Sequence, residues 1–318
     1  MKDQFGQKKA KFIIKNGEWL HKGNENRYVL LLDSKIIGYF GFIPTKLIVN
    51  DKQINGIWWT DLIISHEYRG RGYQTIIDKF VKSRSGIKLG FCNDTAAKIH
   101  FKHNWKVYTN SKILLLPIDV NNIPVLKNNY LIKYISKFIL YMLKKSLHRF
   151  KPRWSILDKT PKPGFYSKLF LLSLNNSLVN IDRNKKYLNW RYFNSPYFGD
   201  YKFYFCDISE YVKVALIARI MTGNNGPQMR IVELFGTIRN RKAVKDLIKT
   251  VVSDAIKLGV VQITIMETNL KLQSLLFQCG FLLFRRVNFV CQYNDADIRK
   301  SISRVRLSFG DSDNDFLD

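Results

Sequence analysis

Two stretches of this 318-residue chain place the same elements in the same order, and that repetition constrains the fold more than any single motif does. In the first, the apolar run Trp58 to Ile64 reads as a strand and leads into a glycine-punctuated basic turn. A helix then carries Ile76, Ile77, Phe80 and Val81 on one face, Gly86 stops it, and Ile87 to Cys92 is a second strand. In the second stretch, Ile231 to Leu234 is the strand. The helix carries Ala243, Val244, Leu247, Ile248, Val251, Val252, Ala255 and Ile256 on one face, Gly259 ends it, and Val260 to Met266 is the next strand. A matching helical signature follows each pair: Asn93, Ala96, Ile99, His100, Asn104 and Trp105 have the spacing of Asn269, Leu272, Leu275, Leu276, Gly280 and Phe281. Turn signals upstream, at Asp33-Ser34 and Asn50-Asp51 and again from Gly223 to Pro227, add a strand meander to both. The expected architecture is α/β with a mixed sheet, in two similar halves.

The two turns differ in chemistry. The first reads Glu67-Tyr68-Arg69-Gly70-Arg71-Gly72-Tyr73-Gln74. Gly70 and Gly72 remove side chains from the approach and tolerate the φ values of a tight turn. The helix start behind them gathers backbone N–H groups at its positive end, which makes a seat for a phosphate. The second turn reads Phe235-Gly236-Thr237-Ile238-Arg239-Asn240-Arg241, with one glycine and β-branched residues crowding it. An anion seat is therefore expected in the first half. The second half is expected to shape the acceptor site or brace the first, in preference to being a second working donor site.

The run Arg69-Gly70-Arg71-Gly72-Tyr73-Gln74 resembles the acyl-CoA motif of the GNAT N-acyltransferase superfamily, Arg/Gln-x-x-Gly-x-Gly/Ala, with Gln74 replacing the last small residue. Asn93 to Trp105 is similar to that family's Asn-x-x-Ala-x-x-Leu-Tyr-x-x-x-Gly-Phe. His100 takes the place of the tyrosine and Asn104 that of the glycine, a position where asparagine tolerates a left-handed backbone. The resemblance implies two tandem GNAT-like folds, each a central, mostly antiparallel sheet flanked by helices, with acetyl-CoA as co-substrate. It implies that Arg69, Gly70, Arg71, Gly72, Tyr73 and Gln74 hold the pyrophosphate. Leu62, Ile63 and Ile64 would pair their backbone with pantetheine, one of their N–H groups polarising the thioester, and Asn93 with Ala96 would hold the arm. His100 then either protonates the leaving thiolate or only contacts the cofactor. Asp61 is either the base for the acceptor ammonium or a strand-end carboxylate accepting hydrogen bonds, a water chain being the other source of base.

Tyr187 to Pro196, with Asn189-Trp190-Arg191 inside it, and the ending Phe309 to Asp315 are similar to segments of tandem GNAT-like proteins associated with bacterial cell-surface polysaccharide synthesis. On that reading Asn189 and Arg191 bind an acceptor's sugar hydroxyls or phosphate; on the other, the segment is a structural turn with Trp190 and Tyr192 in the core. The implied division is 1–118 for the first fold, 119–180 for a helical linker, 181–294 for the degenerate second fold and 295–318 for an acidic tail. Asp311, Asp313 and Asp315 lack the glycine and closing glutamate of a calcium loop, and are read as a solvated tail or one folding back on the basic body.

The net charge of +27 attracts polyanions such as coenzyme A phosphates, a nucleotide-sugar, an anionic membrane or RNA, but it is scattered and no nucleic-acid motif accompanies it. Cys92, Cys206, Cys279 and Cys291 lack paired metal spacing and read as reduced thiols of a cytoplasmic protein; the histidines form no ligand cluster, so no metal is expected. The apolar period from Tyr130 to His148 is interrupted by Lys133, Lys137, Lys144 and Lys145. That helix either braces the two folds or lies on an anionic membrane surface, at the inner face. The leading expectation is an acyl-CoA-dependent N-acetyltransferase acting on an amino-sugar intermediate of surface polysaccharide synthesis, a pseudo-dimer within one chain. The alternatives are a Fem-type transferase using aminoacyl-tRNA and a non-catalytic binding protein with the same fold.

Overall fold

The computed structural model of the chain describes residues 7–123, 130–148, 162–174, 179–209, 211–293, 298 and 301–313. The first half supplies β1 (Arg27–Leu32), β2 (Lys35–Val49), β3 (Lys52–Ile64), β4 (Ile87–Cys92) and β5 (Lys106–Pro117), with helices α1 (Gln7–His21), α2 (Tyr73–Ser83) and α3 (Asp94–Lys102). Between the halves lie α4 (Tyr130–His148), α5 (Pro163–Ser173) and the short β6 (Val179–Ile181). The second half supplies β7 (Tyr201–Ser209), β8 (Val212–Gly223), β9 (Gly226–Gly236), β10 (Gln262–Glu267) and β11 (Leu282–Gln292), with α6 (Arg241–Lys257) and α7 (Leu270–Gln278). A final short strand, β12 (Val305–Arg306), closes the described chain.

All twelve strands join in one sheet of order β12-β6-β2-β3-β4-β11-β5-β10-β9-β8-β7, with β1 on the outer side of β2. The tight turns behave as their residues dictate: Asp33-Ser34 and Asn50-Asp51 all take positive φ, the geometry that two-residue hairpins need and that Asp and Asn tolerate. Each half builds an antiparallel meander and then a parallel pair, β3 with β4 and β9 with β10. The strand that follows each parallel pair is exchanged. β5 crosses to pair antiparallel with β10, and β11 returns to pair antiparallel with β4, so the two lie side by side at the centre of the sheet.

Adjacent side chains on a strand point to opposite faces. Trp58 enters the largest core cluster while Trp59 enters the one beneath α2 and α3, with Phe40, Phe42, Ile77, Val81 and Trp105. In β9 Phe235 and Leu234 divide the same way, Leu234 going beneath α6 and α7 with Val244, Leu247 and Leu276. The helices of the two parallel units therefore cover one face. The other face is sealed along both halves by Leu20 of α1, Tyr166 and Phe170 of α5, Tyr187, Leu188 and Tyr192, and the C-terminal Leu307 and Phe309. Tyr192 is thus a core residue, and residues 301–313 fold back onto the body, Asp311 and Asp313 being buried; Asp315 lies outside the described residues. Helix α4 turns Leu140 and Leu147 inward and leaves Tyr134, Phe138, Tyr141 and Met142 exposed. Among the described residues no helix is long and apolar enough to cross a membrane.

Candidate active site

The parallel strands β3 and β4 pair from Gly56–Ile87 to Trp58–Leu89, and the pairing stops there although β3 runs on to Ile64 and β4 to Cys92. A cleft at the carboxyl ends of parallel strands is where α/β sheets hold ligands. Leu62, Ile63 and Ile64 form one wall, half-buried, and Ile63 and Ile64 pair with Tyr39 and Gly38 of β2 on their other edge. Asn93 and Ala96 stand at the end of β4. Asn93 Oδ1 accepts the Ala96 N–H at 2.8 Å and caps α3, so its side chain is fixed beside the cleft.

The turn from Arg69 to Gln74 closes that end. Gly70 and Gly72 take φ of 77° and 84°, and a Cβ on either would meet nothing within 4 Å. Both glycines are there for backbone freedom, and the space over them is open. Gly72 is the N-cap of α2 and no side chain accepts the N–H groups of that first turn. The other long helices of the two units begin on asparagines, Asn93, Asn240 and Asn269, whose side chains do accept them. The α2 start thus keeps its first N–H groups free of side-chain caps. Arg69 Nε donates to Ile64 O at 2.9 Å and locks the turn onto β3, while Arg71 and Lys35 lie over the Tyr68 ring, Lys35 also 3.8 Å from the Glu67 carboxylate.

A bulge deforms β3 at the cleft. The register steps from Gly41–Thr60 to Tyr39–Ile63, and Asp61 takes a φ of 58°, which redirects the chain just before Leu62. The Asp61 carboxylate turns to His21, at the end of α1, with Oδ2 3.3 Å from Nε2 and both side chains sealed from solvent. His21 Nδ1 lies 3.1 Å from Phe42 O, and since a carbonyl only accepts, Nδ1 carries a proton. Nε2 faces the Asp61 carboxylate. The ring fits because residue 41 is glycine: a Cβ there would sit 2.2 Å from His21 Cε1.

Lys22 follows on the same side. Its Nζ donates to Pro44 O at 2.6 Å and lies 4.1 Å from the Trp190 ring centre. Burial, reinforced by the charges of Arg191 and Lys186, lowers its pKa to about 8. Trp190 is anchored by a reciprocal pair, its indole N–H donating to Trp19 O and that of Trp19 to Trp190 O. The segment 187–193 thus docks the end of α1 against the bulge. Asn189 is half-buried and Arg191 fully buried, its charge acting on Lys22, Tyr187 and Tyr192. His21 and Lys22 are absent from the sequence reading. The legible signal for them was Gly41 in the middle of an apolar strand, a mark of close approach by another group.

His100 is buried among indoles, edge-on to Trp59 at 5.2 Å and 4.9 Å from Trp105. Desolvation outweighs the attraction of Asp78 and lowers its pKa to about 4, so at neutral pH it is an uncharged packing residue. The sequence left it between proton donor and cofactor contact; the structure places it in the packing of Trp59 and Trp105. His100→Phe is therefore expected to change turnover less than about 10-fold; a loss of about 100-fold or more, the cost of removing a general acid, would restore the proton-donating role. The thiols offer no nucleophile either: burial raises Cys92 and Cys291 to about 12 and Cys279 to about 11.

In the second half the slot between the corresponding strands is covered. β9 and β10 pair as far as Ile231–Ile265 and then part, but the C-terminal segment lies across the opening. The Gly310 N–H donates to Val232 O, Arg306 to Leu234 O, and the Leu307 N–H to Thr268 Oγ1, which donates to Val305 O. The turn itself is pinned, because a Cβ on Gly236 would lie 2.0 Å from Lys213 O.

No protein-family model matches the sequence, and no curated protein matches it significantly. Solved structures do. A Saccharomyces cerevisiae N-myristoyltransferase with bound myristoyl-CoA superposes with a TM-score of 0.52 at 11% identity, covering 86% of this chain and 74% of that one. A second structure of the yeast enzyme, with myristoyl-CoA and inhibitors, gives 0.54 at 11% identity over 86% and 70%. A GCN5-related N-acetyltransferase from Anabaena variabilis gives 0.48 at 14% identity over 91% and 66%. The two yeast structures show the fold: a large mixed sheet flanked by helices, of the GNAT-like kind.

Proposed function

We propose that this chain is an acyl-CoA-dependent N-acyltransferase, an acetyltransferase in its simplest form, working from its first half. The observation that carries the reading is the coincidence of three features at one end of β3: a parted parallel pair, a bulge, and an open double-glycine turn on an uncapped helix. The cleft suits the pantetheine arm, and the α2 start with Arg69 and Arg71 suits the pyrophosphate. Bound there, the donor supplies a thioester carbonyl. A backbone N–H of Leu62 to Ile64 meets the negative charge that develops on its oxygen.

The acceptor amine attacks the carbonyl carbon, the C–S bond breaks, and the thiolate takes a proton from solvent. The proton lost by the amine passes to the Asp61 carboxylate by way of water admitted with the acceptor, because that carboxylate lies buried against His21. His21 is a positioning residue in this scheme: its Nδ1 is tied to Phe42, so it sets the proton affinity and direction of Asp61. The acceptor we infer is the amine of an amino sugar carried on a diphosphate. The charge of +27 favours such a carrier, and the segment around Asn189 and Arg191 resembles tandem GNAT-like proteins of polysaccharide synthesis.

The test is a free-thiol assay with acetyl-CoA against nucleotide-linked amino sugars, peptides, polyamines and aminoacyl-tRNA. Thiol release only with the amino sugars is expected, and His21→Gln is expected to lower kcat with acetyl-CoA affinity unchanged. Turnover of peptides or polyamines alone would discard the sugar acceptor. Binding of tRNA with no affinity for coenzyme A would discard the donor.

A further inference from the structure

A cavity of about 750 Å³ opens in the second half where the turn before α6 meets the start of α7, the place corresponding to the donor cleft of the first half. Its walls come from Ile238, Arg239 and Arg241 of that turn, Thr268 to Leu272 at the α7 start, Asn110 of β5, and residues 303–306 of the C-terminal segment. Five cations stand around it: Arg239, Arg241, Lys271, Arg304 and Arg306. None of the described residues lining it is acidic. Arg306 is held from below, donating to Leu234 O at 3.0 Å and 3.4 Å from Glu267. Arg239, Arg241, Lys271 and Arg304 are exposed at the rim.

The C-terminal segment has removed the slot a pantetheine arm would need, yet it contributes two of the five cations. Sealing the cleft has therefore made a wide, shallow basin where the first half has a narrow slot. Like charges converging on one concave surface raise its potential well above that of a scattered basic surface. Guanidinium groups on opposite walls present forks that match phosphate oxygens in pairs. Ile238, Leu272 and Leu275 give it an apolar floor, and Asn110, Thr268 and Ser303 add polar groups. The volume is that of a small-molecule site and far exceeds what one phosphate fills.

We propose that this basin binds a small molecule carrying a diphosphate joined to an organic group, such as a nucleoside diphosphate, separately from the donor cleft. The proposal does not rest on the acyl-transfer reading. The test is calorimetric titration of the whole chain carrying Gly72→Glu, which sets a carboxylate at the first-half turn where a Cβ meets nothing within 4 Å, using UDP and inorganic pyrophosphate as probes. One equivalent of UDP is expected to bind. Lys271→Ser with Arg304→Ser, both at exposed positions, is expected to weaken it at least about 10-fold, the loss of two charge-assisted contacts. Arg241→Gln, on the opposite wall, is expected to weaken it as well. Lys52→Ser with Lys257→Ser, exposed elsewhere, should change it less than about 2-fold if the field is local. Pyrophosphate binding as tightly as UDP would assign recognition to the diphosphate, and UDP binding more tightly would add the organic group; both support the basin. No UDP binding, or an equal loss in the Lys52 and Lys257 variant, overturns it.

Discussion

Gly72→Glu is expected to weaken acetyl-CoA binding about 100-fold or more while the chain stays folded. The glycine sits at φ 84° with nothing within 4 Å of a Cβ, so a side chain meets no clash. The backbone strain of a non-glycine residue there costs only about 1–2 kcal/mol. The new carboxylate, however, stands at the α2 start, and repulsion between unit charges near 4 Å at a protein surface is about 4 kcal/mol. Gly72→Ala carries the strain without the charge and separates the two effects, and calorimetry of both variants reads them. The sequence alone suggests Gly236→Glu as the silent partner in the second half. The structure makes it a folding mutation, because residue 236 is packed against Lys213 O. Arg239→Glu, exposed on the same turn, is the usable control and should leave the donor stoichiometry at one per chain. An unaffected Gly72→Glu variant, or two donors per chain, would place the anion seat elsewhere.

Asp311→Ala is expected to destabilise the whole fold by about 3–5 kcal/mol, the range for removing one partner of a buried ion pair. Arg183 lies between the two halves' sealing elements with Nε 2.7 Å from Glu233 and Nη2 2.7 Å from Asp311, all three side chains nearly or fully buried. Burial alone would lower the Arg183 pKa; Asp311 and Glu233 outweigh it and hold the guanidinium charged. Tyr192 donates to Glu233 at 2.8 Å, Tyr187 to Gly310 O at 2.9 Å, and the Ser308 N–H to Asp311 Oδ2 at 2.8 Å. Without the Asp311 carboxylate, Glu233 is left alone to balance Arg183, and the C-terminal segment loses its anchor. Thermal unfolding should shift down by on the order of 10 °C. The shift should persist at high salt, since a buried pair is poorly screened. A loss below about 1 kcal/mol would mean that the segment is held by its apolar residues Leu307 and Phe309 alone.

Local chemistry was legible in the sequence and long-range pairing was not. Gly70 and Gly72 announce a turn that only glycine allows, and they sit where the backbone turns left-handed. Asn93 and Asn269 announce helix starts and are the caps they resemble. Trp190 and Tyr192 fit the structural alternative, a turn that docks α1 and fills the core. The exchange of β5 and β11 has no local signature: each strand mixes apolar and polar residues, as in Lys106-Val107-Tyr108-Thr109 and Arg285-Arg286-Val287-Asn288, and nothing in either names its partner. The Asp61–His21 pair joins residues far apart in the chain and depends on the absence of a Cβ at Gly41. The acidic ending was open between a solvated tail and one folding back on the basic body, and the choice was not legible because its partner Arg183 lies far upstream, in a segment with no pattern of its own.

The exchanged strands also set the order of events during synthesis. When β4 leaves the ribosome its free edge, Lys88 to Cys92, has no neighbour until β11 has been made. At ~5–20 residues per second that wait is of order ten seconds or more. For that interval the first half exposes an unpaired edge beside a bulged strand, a template for intermolecular pairing. A nascent chain of this design depends on protection during translation, and truncations ending before Leu282 should appear as aggregates, never as a folded first half.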